Sequence, residues 1–282
     1  LCVLPSGHIS GLQVMIRALV TDSEPVHAAF DVEAVTVLAE KLRPHVSLVP
    51  TQLRRLLVAG MDLSLFGTIL LGGAAAEPSL LEAARQAGGR VLTTYGMSET
   101  CGGCVYDGVP LDCAEVYVDS DSPGAPGRIL LSGTMLMSNY RHAHKERRSS
   151  TPWVIGDSGK RWLRTNDLGR LDKGRLTVLG RQDDVINTGG HKVVPAQVNA
   201  LLLADPAVAE AVVVGRPDPE WGQRVTAVVV PVDPAAPPSL ESLRARVREQ
   251  LPPYAAPREL EIKKALPLLS SGKPDLAALR RR

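Results

Sequence analysis

The sequence predicts an α/β body followed by a small α+β module, and three textures along the chain carry that prediction. Up to residue 105, short apolar runs alternate with segments of helical period, as in a parallel sheet wrapped by helices. Between 106 and 180 the apolar runs are short and turns are frequent, as in an antiparallel β subdomain. From 181 helix and strand patterns mix again over roughly 100 residues, the size of an independent module. The expected domains are therefore 1–180, with the β subdomain at 106–180, and a C-terminal domain at 181–282.

The elements follow in order. The chain opens on a strand-like apolar run, Leu1-Cys2-Val3-Leu4-Pro5, with no initiating Met, so a fragment of a longer protein is expected. Ile9 to Val20 mixes small and apolar residues around one Arg, as a buried helix does. Apolar positions 32, 35, 38, 39 and 42 keep a helical period over 31–43. Val46 to Pro50 reads as a buried strand, and Thr51 as the cap of a helix over 52–60. Ile69-Leu70-Leu71 is a strand that stops at Gly72-Gly73. Pro78 opens a helix over 78–87, where its missing N–H costs nothing, and Gly88-Gly89 ends it. Val91 to Tyr95 is the next strand.

In the β subdomain the expected strands are 114–118, 128–132, 162–164 and 175–179, with turns at Asp119 to Pro126 and at Asp172-Lys173-Gly174. The last module reads as helix 195–204, strands Val208 to Val214 and Thr226 to Val232, a Pro-rich loop at 231–238, an amphipathic helix at 239–251 and a strand at 259–264.

Composition excludes several classes. A charged fraction of 22% and a mean hydropathy of +0.02 argue against disorder. A net charge of +2 gives no reason to expect a nucleic-acid partner, despite Arg280-Arg281-Arg282. No uncharged apolar stretch reaches the ~18 residues a membrane span needs. The first residues carry Pro5, Gly7, His8 and Arg17 and lack a leading basic segment, so no signal peptide is expected. Among the four cysteines, Cys101, Cys104 and Cys113 cluster. Cys101-Gly102-Gly103-Cys104 has metal-site spacing, but with no second pair and no nearby His it reads as reduced thiols, which fit a cytoplasmic protein.

Five segments carry chemistry, and each also has a plain structural reading. Thr93-Thr94-Tyr95-Gly96-Met97-Ser98-Glu99-Thr100 follows a strand. Hydroxyls and amides there can hold phosphate oxygens, a carboxylate can hold Mg²⁺, and an aromatic ring can stack on a base. It could equally be a polar turn. Gly72-Gly73-Ala74-Ala75-Ala76 lets a flat ring approach backbone, or is merely tight. Two such turns on successive strands form a crevice at the carboxyl ends of a sheet. Asp167, in Arg164-Thr165-Asn166-Asp167-Leu168-Gly169, can accept from both hydroxyls of a ribose, although an Asp-Leu-Gly turn is usually just a turn. Gly180 to Val193 places Arg181, two Asp and Gly189-Gly190 at a domain boundary, suited to a hinge or to a simple hairpin. Lys273 follows Gly272 in a Pro-bounded loop, where an ammonium can offset phosphate charge or simply be solvated.

Their order is more specific than any one of them. His8-Ile9-Ser10-Gly11, Gly72-Gly73-Ala74-Ala75, Thr94 to Thr100, Thr165 to Gly169, Gly180 to Asp184 and Gly272-Lys273 together resemble the adenylate-forming enzymes. That superfamily holds acyl- and aryl-CoA synthetases, peptide-synthetase adenylation domains and luciferases. Thr93 to Gly108 is most similar to the 2-succinylbenzoate–CoA ligases of menaquinone biosynthesis, in their short actinobacterial form.

The resemblance implies the adenylate-forming fold: a large N-terminal domain, incomplete here, with a parallel sheet and a β subdomain, and a mobile α+β C-terminal domain. It implies ATP, Mg²⁺ and coenzyme A as co-substrates and cofactor, and a small carboxylic acid as substrate. Gly72, Gly73, Ala74, Ala75, Tyr95 and Gly96 would enclose adenine. Thr100 would touch the α-phosphate and Glu99 would hold Mg²⁺. Asp167 and Arg181 would bind ribose, Asp183 would be the hinge, and Lys273 would serve adenylation. His8 would gate the acyl pocket, and Gly189, Gly190, His191 and Lys192 would face pantetheine. The loop Cys101 to Gly108 would line the acid site. A homodimer is one expected assembly.

The resemblance does not include the family's Ser/Thr/Gly-rich phosphate loop, which is expected upstream of His8 and so missing here. It also departs at Val198-Asn199, where many relatives carry Glu after the apolar residue. The rival expectations are another acyl- or aryl-CoA ligase, an adenylation domain serving a carrier protein, and an inactive nucleotide-binding remnant.

Overall fold

The computed structural model describes residues 1–141, 152–156, 159–269 and 272–281. It divides into two compact units, one built on Leu1–Val178 and the other on Leu179–Leu269 with the tail from Lys273.

The first unit opens with α1 (Ile9–Val20) and α2 (Val32–Leu42), then alternates β1 (His45–Leu48), α3 (Pro50–Val58), β2 (Thr68–Leu71), α4 (Pro78–Gln86) and β3 (Val91–Met97). β1, β2 and β3 pair in parallel, with Leu48 opposite Leu71 and Leu71 opposite Thr93. Parallel neighbours need a crossover, and α3 and α4 supply it. β2 shows the alternation that fixes its face: Ile69 and Leu71 are buried, while Thr68 and Leu70 are half-covered. Leu48, Leu53, Leu56, Leu63, Ile69 and Leu71 fill the core beneath the helices.

Two short antiparallel strands, β4 (Gly102–Tyr106) and β5 (Val109–Pro110), extend this sheet beyond β3. The segment 101–108, expected as a loop, is thus mostly strand. Its glycines read as turn residues, yet Cys104 and Val105 are buried in the sheet. The opening run is not a strand either: Cys2 makes only isolated bridges, to Ser47 and His27. The cap of α3 also differs. Pro50 takes the first helical position, and the Val49 N–H donates to Gln52 Oε1 at 3.1 Å, so Thr51 lies inside the helix.

The β subdomain is β6 (Ala114–Asp119), β7 (Gly127–Gly133), β8 (Trp153–Ile155), β9 (Arg161–Asp172) and β10 (Arg175–Arg181). Their order is β10-β9-β7-β6, with β8 on β9. β9 is far longer than the expected 162–164. Thr165 and Gly169 take buried positions on it, and the Thr165 hydroxyl donates to the Ile129 carbonyl at 2.8 Å. A buried polar residue and a glycine do not register as an apolar repeat.

The second unit contains the hairpin β11 (Ile186–Thr188) and β12 (His191–Val193), α5 (Pro195–Leu203), the long pair β13 (Val208–Asp218) and β14 (Gly222–Pro231), α6 (Leu240–Arg248), β15 (Glu259–Ile262) and α7 (Leu276–Arg280). The sheet order is β12-β11-β14-β13, with β15 parallel to β14. One cluster, which includes Val198, Leu202, Val225, Val229, Leu243 and Val247, forms its main core. A smaller one of Val212, Val214, Val228, Leu266 and Leu279 seats α7. Among the described residues no helix is long and apolar enough to cross a membrane.

Candidate active site

Because β1 to β3 are parallel, their carboxyl ends share one edge of the sheet, where such sheets place ligands. β2 delivers Gly72 and Gly73 there, followed by the exposed Ala74 and Ala75. Gly72 lies so close to the Thr94 hydroxyl on β3 that any Cβ would collide with it. The glycine turn is therefore pressed flat against the neighbouring strand.

β3 carries Tyr95 and the exposed Gly96. The Tyr95 phenol donates to Asp167 Oδ2 at 2.8 Å, and the Asp167 N–H donates to Thr165 Oγ1 at 3.1 Å. This bond joins the parallel sheet to β9 of the β subdomain. Burial, with the Asp167 charge behind it, pushes the Tyr95 phenol far above its ordinary range, so it stays a donor. A carboxylate has about four lone-pair sites, so Asp167 keeps acceptor capacity for further donors.

After β3 the backbone makes a single 3-10 turn over Ser98–Thr100. Thr100 is 2% exposed. Its hydroxyl accepts from the Met97 N–H at 2.9 Å and donates to the Gly102 carbonyl at 2.7 Å, which fixes the turn. Glu99 is half-buried, and its Oε1 accepts from the Tyr140 phenol at 2.8 Å. Burial and that carboxylate push the Tyr140 phenol up to about 12. The Met137 N–H donates to the Glu99 carbonyl at 2.8 Å. Mg²⁺ takes one or two protein carboxylates and keeps several waters, so one oriented carboxylate is a fitting donor set.

His8 is exposed and immediately precedes α1, making no side-chain cap bond. Gln13 on the same helix donates to the Cys101 carbonyl, which ties α1 to the turn after Thr100. Cys101 is exposed and Cys104 buried, and all four thiols are unbridged. Among the described residues no three His, Cys, Asp or Glu side chains converge on a point.

In the second unit Arg181 and Asp183, both exposed, stand 3.6 Å apart, and the next residue, Asp184, accepts from Arg280 at 2.6 Å. Gly189 lies directly on the Trp221 ring, where a Cβ would strike the indole, and its N–H donates to the Trp221 carbonyl at 2.9 Å. His191 stacks on Tyr254 with centroids 4.2 Å apart, while Gly190 and Lys192 are exposed beside it. Lys273 is exposed, and its carbonyl accepts from the Leu269 N–H at 2.8 Å. At the departure noted above, Val198 is core, and Asn199 Oδ1 is buried without a partner among the described residues.

The structure thus gathers Gly72, Tyr95, Glu99, Thr100 and Asp167 around the ends of β2 and β3. Separately, it builds the hairpin Gly189 to Lys192 on two aromatic rings. Sequence reasoning missed Tyr140, Trp221 and Tyr254. Aromatic residues are only 4% of the chain, so each isolated ring was a signal available to be used.

Comparison with known proteins fits this arrangement. Residues 1–141 match the family model "AMP-binding enzyme", and residues 197–273 match "AMP-binding enzyme C-terminal domain". A probable 2-succinylbenzoate–CoA ligase of Mycobacterium tuberculosis is 43% identical over 295 residues, covering 100% of this chain and 74% of that protein. This chain belongs to the AMP-binding enzyme family. The resemblance to adenylate-forming enzymes read from motif order is borne out.

This AMP-binding enzyme is also 33% identical over 296 residues to the 2-succinylbenzoate–CoA ligase of Bacillus subtilis, covering 97% of this chain and 58% of that one. Among solved structures, the Bacillus subtilis o-succinylbenzoate CoA synthetase with its acyl-adenylate intermediate matches with a TM-score of 0.81 and 32% identity over 99% of this chain. The chain spans 60% of that synthetase. The amide bond synthetase McbA of Marinactinospora thermotolerans matches at 0.77 and 32% identity, over 89% of this chain and 55% of its own. The expected fold, an adenylate-forming body with a small α+β domain, is the fold observed.

Proposed function

We propose that this chain activates 2-succinylbenzoate with ATP as an acyl-adenylate and transfers the acyl group to the thiol of coenzyme A, a step of menaquinone biosynthesis. The observation that carries the reading is the Tyr95–Asp167 bond beside the flat Gly72 turn: a ring and a carboxylate fixed at the sheet edge that suits adenosine. The relatives supply the substrate class, since the ligases it matches act on 2-succinylbenzoate by name and one solved synthetase holds the acyl-adenylate.

In this reading Gly72 to Ala75, Tyr95 and Gly96 enclose adenine. Asp167, held by Tyr95, accepts from the ribose hydroxyls, with Arg181 as the second ribose contact. The acid's carboxylate oxygen attacks the α-phosphorus, and the bond to pyrophosphate breaks. Two anions approach in that step, so Lys273 is assigned to offset their charge; one preorganised group of this kind is worth roughly 3–4 kcal/mol. Bound at Glu99, Mg²⁺ would supply further positive charge to the phosphates. Thr100 already holds the turn that presents Glu99, and its hydroxyl would have to leave the Gly102 carbonyl to reach a phosphate. His8 is assigned to the acyl pocket, and Asp183 to the hinge. Gly189, Gly190, His191 and Lys192 are assigned to the pantetheine arm, whose thiol displaces AMP. The reaction is assigned to the cytoplasm, where ATP and coenzyme A are both available.

The test is calorimetric titration with a non-hydrolysable analogue of the acyl-adenylate, followed by mass analysis of turnover with ATP, Mg²⁺, 2-succinylbenzoate and coenzyme A. Saturable heat and a coenzyme A thioester are expected. Absence of both would sink the reading.

A further inference from the structure

We propose that Tyr140 is a positioning residue for the Glu99 carboxylate, holding one oxygen so that the group stays oriented for a divalent cation bound with ATP. The inference rests on the reading of Glu99 given above and adds a residue that no motif singled out.

The geometry is local and redundant. The Tyr140 phenol donates to Glu99 Oε1 at 2.8 Å, and the Met137 N–H donates to the Glu99 backbone carbonyl at 2.8 Å. One short segment therefore grips Glu99 at both its main chain and its side chain. That segment is itself anchored: Arg161 donates to the Met137 carbonyl and, at 3.1 Å, to the Ser138 carbonyl. The Arg161 guanidinium in turn lies 3.8 Å over the Trp153 ring. A glutamate on a one-turn 3-10 helix has three rotatable bonds and would otherwise lose that freedom only when the cation binds. A hydrogen bond made beforehand removes part of that cost, which is how groups behind a metal ligand tune affinity. Tyr140 is 46% exposed, so the phenol is not needed to fill the core.

The experiment uses the full chain and measures ATP affinity by calorimetry, once with chelator and once with saturating Mg²⁺. The wild type is expected to gain affinity from Mg²⁺. Tyr140→Phe keeps the ring and loses one hydroxyl; it should bind metal-free ATP as the wild type does, yet lose about tenfold of the Mg²⁺-dependent gain. Glu99→Gln should lose that gain more completely. If Tyr140→Phe keeps the whole gain while Glu99→Gln loses it, the positioning role is wrong and the reading of Glu99 stands. If Glu99→Gln also keeps it, both fall. Equal loss by Tyr140→Phe with and without Mg²⁺ would mark a merely structural tyrosine and overturn the proposal.

Discussion

At the scale of single residues, the site depends on groups whose partners are already in place. Tyr95→Phe removes the donor from a half-buried carboxylate and leaves the ring. Stability should fall by roughly 1.5–3 kcal/mol, the range for a hydrogen bond to a charged group. An unchanged denaturation midpoint would show that Asp167 finds another partner. Lys273 carries a different prediction, because its assigned part is confined to one step. Lys273→Ala should slow acyl-adenylate formation by about two orders of magnitude, while thioester formation from supplied adenylate persists. Pyrophosphate exchange and a single-turnover thioester assay separate these, and equal losses in both would remove Lys273 from its step. The run Thr94 to Thr100 stands out in the sequence because its chemistry is written locally. Tyr140 does not, since its partner lies 41 positions away and only folding joins them.

At the scale of elements, charge fastens the tail of the second unit. Arg216 on β13 is 3% exposed and donates through Nε to the Leu279 carbonyl at 3.2 Å and through Nη1 to Glu259 at 3.1 Å. It also pairs with Glu261 on β15, so α7 is bound to the sheet through one guanidinium. Hydrogen bonds from Lys263 and then Arg216 hold the Glu261 carboxyl below the usual carboxylate range. A carboxyl depressed in the folded state stabilises the fold above its unfolded pKa, and that contribution is lost as pH falls through the folded value. Stability should therefore decline below about pH 4.3, the unperturbed glutamate value. Glu261→Gln should lower stability at pH 7 and flatten that acid limb, measured by urea midpoints across pH; an equally steep limb would exclude Glu261 as its source. The helices before residue 250 and the parallel strands were readable because their apolar periods are strong, whereas the five-residue α7 was too short to show one. β9 and β4 were not readable, because Thr165 and Gly102 occupy buried positions that hydropathy does not mark.

At the scale of the whole molecule, two compact units, each with its own main core, predict two cooperative events. Leu48, Leu53 and Ile69 belong to one cluster, while Val198, Val225 and Leu243 belong to another. The sequence changes texture near residue 180, and the two compact units divide between Val178 and Leu179. Heating should accordingly depart from a single two-state transition, with calorimetric and van't Hoff enthalpies that disagree. A ligand that binds only folded protein stabilises whichever part holds it, by about 2.7 kcal/mol at one hundred times its Kd. The Tyr95, Asp167 and Gly72 groups assigned to adenosine all lie in the first unit. ATP should therefore raise the transition of that unit, assigned by the loss of hydrogen-exchange protection at Ile69 and Leu71. Protection gained only at Val225 and Val229, with Ile69 and Leu71 unmoved, would place the nucleotide on the second unit and contradict the assignment of adenosine to the ends of β2 and β3.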